Sequence, residues 1–369
     1  MHAIRIDRSK TLAKEPHLGH NRFYSAIEPV LEVNAGEEVI IETRDSLDGQ
    51  VRPGIANADM AALDLSVVHP LTGPISVKGA EPGDALEVEF LDIIPQPVGW
   101  TGIIPGVGFL RDVMTEPFVV HWKLSDGWAT SEQIPGVRIP GAPFMGVSGV
   151  APSAKLLEKW TEREQRLLEK GGAVFPPEPR GAVPGGACGL HGVRTNPPRE
   201  NGGNFDVKQL TKGSRLVLPV FTSGALFSTG DAHFAQGDGE VCVTAIEMSA
   251  TVAVRFKLHK GLAASRKFTA PVFSQNHYFN DPKIAVPERF LGVMGIPVTL
   301  DGENDGENLT LACRNAVLNM MELLQERGFS REQAYIICSV AVDLKISSLV
   351  NVPNHLVSAV LPEAIFDRS

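Results

Sequence analysis

Much of what a 369-residue chain can carry is missing here, and each absence closes a route. There are only four cysteines, Cys188, Cys242, Cys313 and Cys338, widely spaced and with no Cys-x-x-Cys pair. That excludes a zinc ribbon and a disulfide framework and leaves reduced thiols as the expectation. Positive charge is short: 34 Lys and Arg face 43 Asp and Glu, for a formal net charge of −9. Neither nucleic acid nor an anionic membrane is therefore an expected partner. No stretch approaches the ~18 uncharged apolar residues of a spanning helix. Met1–Thr11 is polar, with no apolar core, so no signal peptide is expected and the cytoplasm is the expected compartment.

Familiar catalytic signatures are missing too. Gly146-Val147-Ser148-Gly149 has the wrong spacing for the G-x-S-x-G nucleophile elbow. Gly185-Gly186 and Gly189 make only a fragment of a phosphate-binding loop, inside a Pro-rich stretch. Cys188 has no recognisable partner near it in sequence, so a buried thiol is the plainer reading.

What is present is glycine (36) and proline (27), with aromatics at only 7%. High Gly and Pro without a repeat implies many tight turns between short strands. Residues 28–44 read as two strands about Asn34-Ala35-Gly36, with Val39, Ile41 and Thr43 alternating. Residues 74–94 repeat the design about Glu81-Pro82-Gly83-Asp84. Val119, His121 and Lys123 mark another strand, and 214–222 and 241–258 read as strong strands. Helical spacing appears at Leu156, Leu157, Trp160, Leu167 and Leu168, with Ser153 as cap and Gly171-Gly172 as stop. It returns from Leu309 to Leu324. Ser330 and Gln333 then form a capping box for a last helix to about Leu344. The expected fold is mainly β: β-sandwich or barrel-like N-terminal and central parts with a smaller α+β C-terminal part. Three segments are expected: 1–150, β-rich; 151–260, with a helix, a Gly/Pro-rich loop and a central β segment; and 261–369, α+β.

The richest chemistry lies in Gly230–Glu240, GDAHFAQGDGE. In an extended chain residues two apart share a side, so Asp231 and His233 face one point, and Asp238 and Glu240 face another across Asp238-Gly239. Carboxylate with imidazole suits zinc or a similar ion, whereas carboxylates with carbonyls suit calcium. The same residues would also serve a plain polar turn. Asp45 and Asp48, in ETRDSLDGQ, His69, ahead of Pro70, and Asn204, in NGGNFD, are further candidates. Each has an ordinary turn or structural alternative.

The segment GDAHFAQGDGE resembles the central motif of the acetamidase/formamidase family, followed by a strand with a buried Glu, matched here by Thr244-Ala245-Ile246-Glu247. ETRDSLDGQ, HPLTGPISVKGAEPGDALEVEFLDI, PFMGVSGVAPS, NGGNFDV and AYIICSVAVDLKISSLVN resemble further family segments in the same order, from about residue 17 to residue 366. The resemblance implies a β-rich homo-oligomer that hydrolyses formamide, acetamide or a related short amide, with a divalent metal ion, zinc or calcium. It places Asp48, His69, Asp231, His233, Asp238 and Glu240 at the site. His69, Asp231, His233 and Asp238 would hold the ion. Glu240 or Asp48 would move the proton, and Asn204 would face the oxyanion. Ala232, Phe234 and Phe23-Tyr24 depart from the family pattern and are expected to reshape the pocket. Two other classes fit the same residues: a hydrolase of a bulkier or N-substituted amide, and a non-catalytic β-sandwich module with structural calcium.

Overall fold

The structure, a computed structural model, describes residues 2–268, 270–278 and 286–367. Met1 and Ser369, the outer bounds of the expected first and third segments, lie outside them. Among the described residues the fold is mainly β, built on two large sheets. The first runs, neighbour by neighbour, through His2–Ile4, Glu38–Thr43, Ala250–His259, Ala85–Pro95, Arg215–Pro219 and Val272–Ser274. The second runs through Arg138–Pro140, Trp128–Thr130, Phe118–Ser125, Val98–Ile103, Glu247–Met248, Phe227–His233, Phe144–Gly149 and Gly202–Asn204. Leu71–Val77 joins the second sheet off this path, beside Phe227–His233. Each path has two free ends, so the barrel alternative falls away and no barrel closes.

The alternation in the first sheet buries Val39, Ile41, Val88, Phe90, Val252, Val254 and Phe256 in one apolar cluster. That cluster continues to Met320, Leu324, Ile336 and Ile337 of the C-terminal helices. A smaller cluster, built on Leu47, Val68, Trp100 and Ile104, stands apart from it.

Several expected elements change. The turns at Asn34–Gly36 and Glu81–Asp84 are real, but neither closes a hairpin. Leu31–Val33 and Leu71–Val77 lie in the second sheet, whereas Glu38–Thr43 and Ala85–Pro95 lie in the first. Each turn carries the chain from one layer to the other. The strand expected over 241–258 begins only at Ala250, with Glu247–Met248 as a short piece before it. Helices Ala154–Glu169 and Leu309–Glu326 form as expected, the first capped by Ser153. The capping box of Ser330 and Gln333 forms, but its helix ends at Ala341 and the strand Asp343–Ser348 follows. None of the helices described is long and apolar enough to cross a membrane.

Candidate active site

The central motif straddles the end of a buried strand. Phe227–His233 is buried throughout, and its two-residue period sets Asp231 and His233 on one side. The neighbouring strand runs antiparallel in a register that pairs His233 with Glu247. His233 Nε2 therefore lies 3.2 Å from Glu247 Oε1, 3.3 Å from Asp231 Oδ1 and 3.9 Å from Glu240 Oε1. Phe144 packs edge-on against the imidazole at 5.0 Å. On the far side of the ring, Nδ1 lies 3.0 Å from Gln236 Oε1. Gln236 spends its own N–H on the carbonyl of Asp206, at 2.8 Å, so its oxygen faces the ring and can only accept. Nδ1 therefore carries a proton, and Nε2 is the atom turned to the carboxylates.

The remaining members arrive from distant segments. His69 Nε2 reaches to 4.0 Å from Asp231 Oδ2, with its Nδ1 3.2 Å from Thr195 Oγ1. Asp206 follows the edge strand Gly202–Asn204. Its carboxylate and that of Asp231 come together over Gly146, where an added Cβ would lie 2.7 Å from Asp206 Oδ1 and 2.8 Å from Asp231 Oδ2. Asp206, Asp231, Glu240 and Val243 all have positive φ without being glycine. Such conformations cost energy and gather where function overrides local preference.

These groups floor a cavity of about 340 Å³, lined by His69, Asn204, Asp206, Asp231, Glu240 and Glu247 on its polar side. His233 stands directly behind them. A larger surface groove of about 940 Å³ shares Trp100 and Glu247 with it. Five lining residues present a buried polar atom without a hydrogen-bond partner: Asn196 Oδ1, Asn204 Oδ1, Asp206 Oδ1, Glu247 Oε2 and Trp100 Nε1. Four are acceptors and one is a donor.

The charges press on one another. Burial, with Asp231 and Glu247 adding to it against the pull of His233, pushes the Asp206 carboxyl up to about 7. Burial and the Asp231 charge push Glu247 up to about 7. Glu240 is raised well above the usual carboxylate range by burial and by Asp206. Burial alone would raise Asp231 and lower His233, but His233 and His69 hold Asp231 low, and Glu247 together with Asp231 lifts His233 well above the ordinary imidazole range.

Of the residues expected from sequence, His69, Asn204, Asp231, His233 and Glu240 come together. Asp48 and Asp238 do not. Asp48 accepts the Leu12 N–H at 2.9 Å and lies 3.5 Å from Arg44 Nε, tying the N-terminal segment to its own loop. Asp238 is turned to Lys208, at 3.5 Å, next to Asp343. The Asp238-Gly239 turn thus separates Asp238 from Glu240 instead of pairing them. Phe234 presses on Gly141 and Phe23 packs in a cluster with Leu71 and Trp160, so neither shapes the cavity as expected. Burial pushes the Cys188 thiol up to about 11, and Cys188 is not among the cavity's lining residues. Two residues had not been singled out as candidates. Glu247 was visible only as the Glu after the central motif, and Asp206 only as the end of NGGNFD.

Clustered acids and an imidazole beneath a solvent-accessible cavity, on a β-sandwich, are the equipment of a hydrolase. The chain matches the Acetamidase/Formamidase family over residues 5–368 and belongs to it, which makes it a hydrolase of linear amides. It is 38% identical over 360 residues to an acetamidase of Mycolicibacterium smegmatis, covering 90% of this chain and 87% of that one. It is 33% identical to a formamidase of Methylophilus methylotrophus, covering 99% and 93%. Among solved structures, a gamma lactamase from Delftia acidovorans superposes with a TM-score of 0.94 at 35% identity, covering 100% of this chain and 94% of that one.

Proposed function

We propose that the chain cleaves the C–N bond of a primary carboxamide, releasing the acid and ammonia, at the polar floor of the cavity. The observation that carries this is the gathering of His69, Asp206, Asp231, Glu240 and Glu247 on the lining of one cavity. Asn196, Asn204 and Trp100 line the same cavity and bring amide and indole groups that can pair with the N–H and C=O of a carboxamide. The Asn204 amide, on the same wall, offers a further contact to the oxyanion, and one such donor is typically worth roughly 2.7–4 kcal/mol.

Glu240 takes a proton from the attacking water and delivers it to the departing nitrogen. Glu240 lines the cavity with Oε1 3.9 Å from His233 Nε2, placed to pass a proton between the water and the nitrogen. The two relatives named acetamidase and formamidase support a linear amide as the substrate class.

The donors also fit a divalent ion. Ligand atoms of Asp231, His233 and Glu247 lie within 4.8 Å of one another, as do those of Asp206, His233 and Glu240. His233 Nε2, turned to the carboxylates of Asp231 and Glu247, and the unpartnered Glu247 Oε2 offer donors that a cation would take. One imidazole with carboxylates suits zinc better than calcium, which prefers an all-oxygen set. A bound ion would supply a Lewis acid and a more acidic water. The residues we assign to it are Asp231, His233 and Glu247, with His69 beside Asp231. The four cysteines are free, which suits work in the reducing cytoplasm.

The test is ammonia release from formamide and acetamide by the wild type and by Glu240→Gln. Equal turnover by the two proteins removes Glu240 from the proton path. A second reading, ring opening of a γ-lactam, is favoured by the likeness to the Delftia enzyme. It would show as an amino acid product without ammonia.

A further inference from the structure

We infer that the cavity holds an apolar acyl subsite, so that the preferred amides carry a longer apolar acyl chain than acetamide does. This rests on the amide-hydrolase reading and specifies its substrate class. Beside the carboxylates, the cavity is also lined by Leu47, Val68, Trp100 and Ile104, and by the more exposed Phe175 and Val243. The first four belong to the separate small cluster and not to the main core. That lining is therefore separate from the main core, although Trp100 pairs across the sheet with Glu247. The volume of about 340 Å³ falls at the lower end of the ~300–1,000 Å³ of pockets that enclose drug-sized ligands. Acetamide, whose acyl tail is a single methyl, would leave most of the wall wet.

The exposed part of the lining is built with some cost. Val243 has φ +84°, outside the regions a β-branched residue ordinarily adopts. It is 39% exposed and lines the cavity. Phe175, 41% exposed, also lines the cavity, with the Arg194 guanidinium 5.7 Å from its ring. Two large apolar groups left in water in a cavity's lining are poised to be covered by an apolar ligand.

The experiment is a chain-length series: acetamide, butyramide and hexanamide. Affinity is measured by calorimetry on Glu240→Gln, and kcat/KM by ammonia release on the wild type. Each methylene that enters the subsite should raise both by about fourfold, the factor for burying one CH₂ group. Affinity that is flat or falls with length overturns the inference, whatever the turnover. If affinity climbs while the wild type releases no ammonia from any member, the subsite stands and the catalytic reading falls. Val243→Gly tests this part of the lining. Glycine adopts the local conformation freely, so the fold should hold. The hexanamide-to-acetamide ratio of kcat/KM should drop several-fold, and an unchanged ratio overturns the role of Val243.

Discussion

His233 and Glu247 are direct cross-strand partners, and their side chains meet at 3.2 Å in a buried, carboxylate-rich setting. Replacing Glu247 by Gln keeps the shape and removes one of the crowded negative charges. The protein should stay folded, with a melting temperature no lower than the wild type, while ammonia release falls by about 10²-fold or more. Wild-type turnover in a folded Glu247→Gln protein would take this carboxylate out of the chemistry.

Gly146 gives the Asp206 and Asp231 carboxylates room to converge. A methyl there would lie closer to both than van der Waals contact allows, so one of them would have to shift. Gly146→Ala should cost about 1–3 kcal/mol of stability and most of the activity, read by urea denaturation alongside an amidase assay. An alanine variant with full activity would mean that the two acids need not approach each other.

Gln236 fixes the ring of His233 through Nδ1. If the site holds zinc, Gln236→Leu should weaken zinc retention by about 10–100-fold, as loss of a partner behind a ligand usually does. Equilibrium dialysis followed by metal analysis reads this directly. Equal zinc content in both proteins would separate Gln236 from ion binding.

Asp238 and Asp48 sit in acidic sequences yet point elsewhere. Asp238→Asn and Asp48→Asn should each change kcat less than tenfold, against the ~10²-fold expected of Glu240→Gln. The loss should appear instead in stability, since each removes an anionic partner of a buried cation, Lys208 or Arg44. A collapse of kcat in either Asn variant, with the fold intact, would return that carboxylate to the reaction.

His20 is buried with Nε2 2.7 Å from Ser228 Oγ, and burial pushes its pKa from 6.5 down to about 4. The unfolded chain binds a proton on this ring more readily than the folded one. The stabilising contribution is therefore complete above about pH 6.5 and lost as pH falls toward 4. Between about pH 7 and about pH 5 the loss is about 2 kcal/mol. Urea midpoints at those two values should fall for the wild type and fall less for His20→Gln. Parallel declines would acquit His20.

How much of this was legible beforehand depended on the kind of contact. Asp231 and His233 are two residues apart on one strand, and strand periodicity anticipates their meeting, though not the left-handed backbone at Asp231. His233 and Glu247 meet only through sheet register, which no local pattern encodes, so Glu247 stood out merely as a neighbour of the motif. Asp206 turns inward through a left-handed backbone that a Gly-Gly-Asn-Phe-Asp stretch does not announce. Asp48 and Asp238 were overvalued because Asp before Gly looks the same whether the acid serves a turn or a site. The two early turns misled in the same way, since the alternation flanking them does not reveal whether the strands pair or part into opposite layers.

That parting reaches back to synthesis. Glu38–Thr43 emerges early from the ribosome, yet its neighbour Ala250–His259 follows some two hundred residues later. Phe227–His233, which joins Leu71–Val77, Phe144–Gly149 and Glu247–Met248, is also late. A nascent chain cut short before this strand holds several hydrogen-bonding edges open at once, an invitation to aggregate. Contacts so distant in sequence also make for slow folding. Producing the protein in good yield should thus depend on slowed expression or chaperone help more than on any change to the finished molecule.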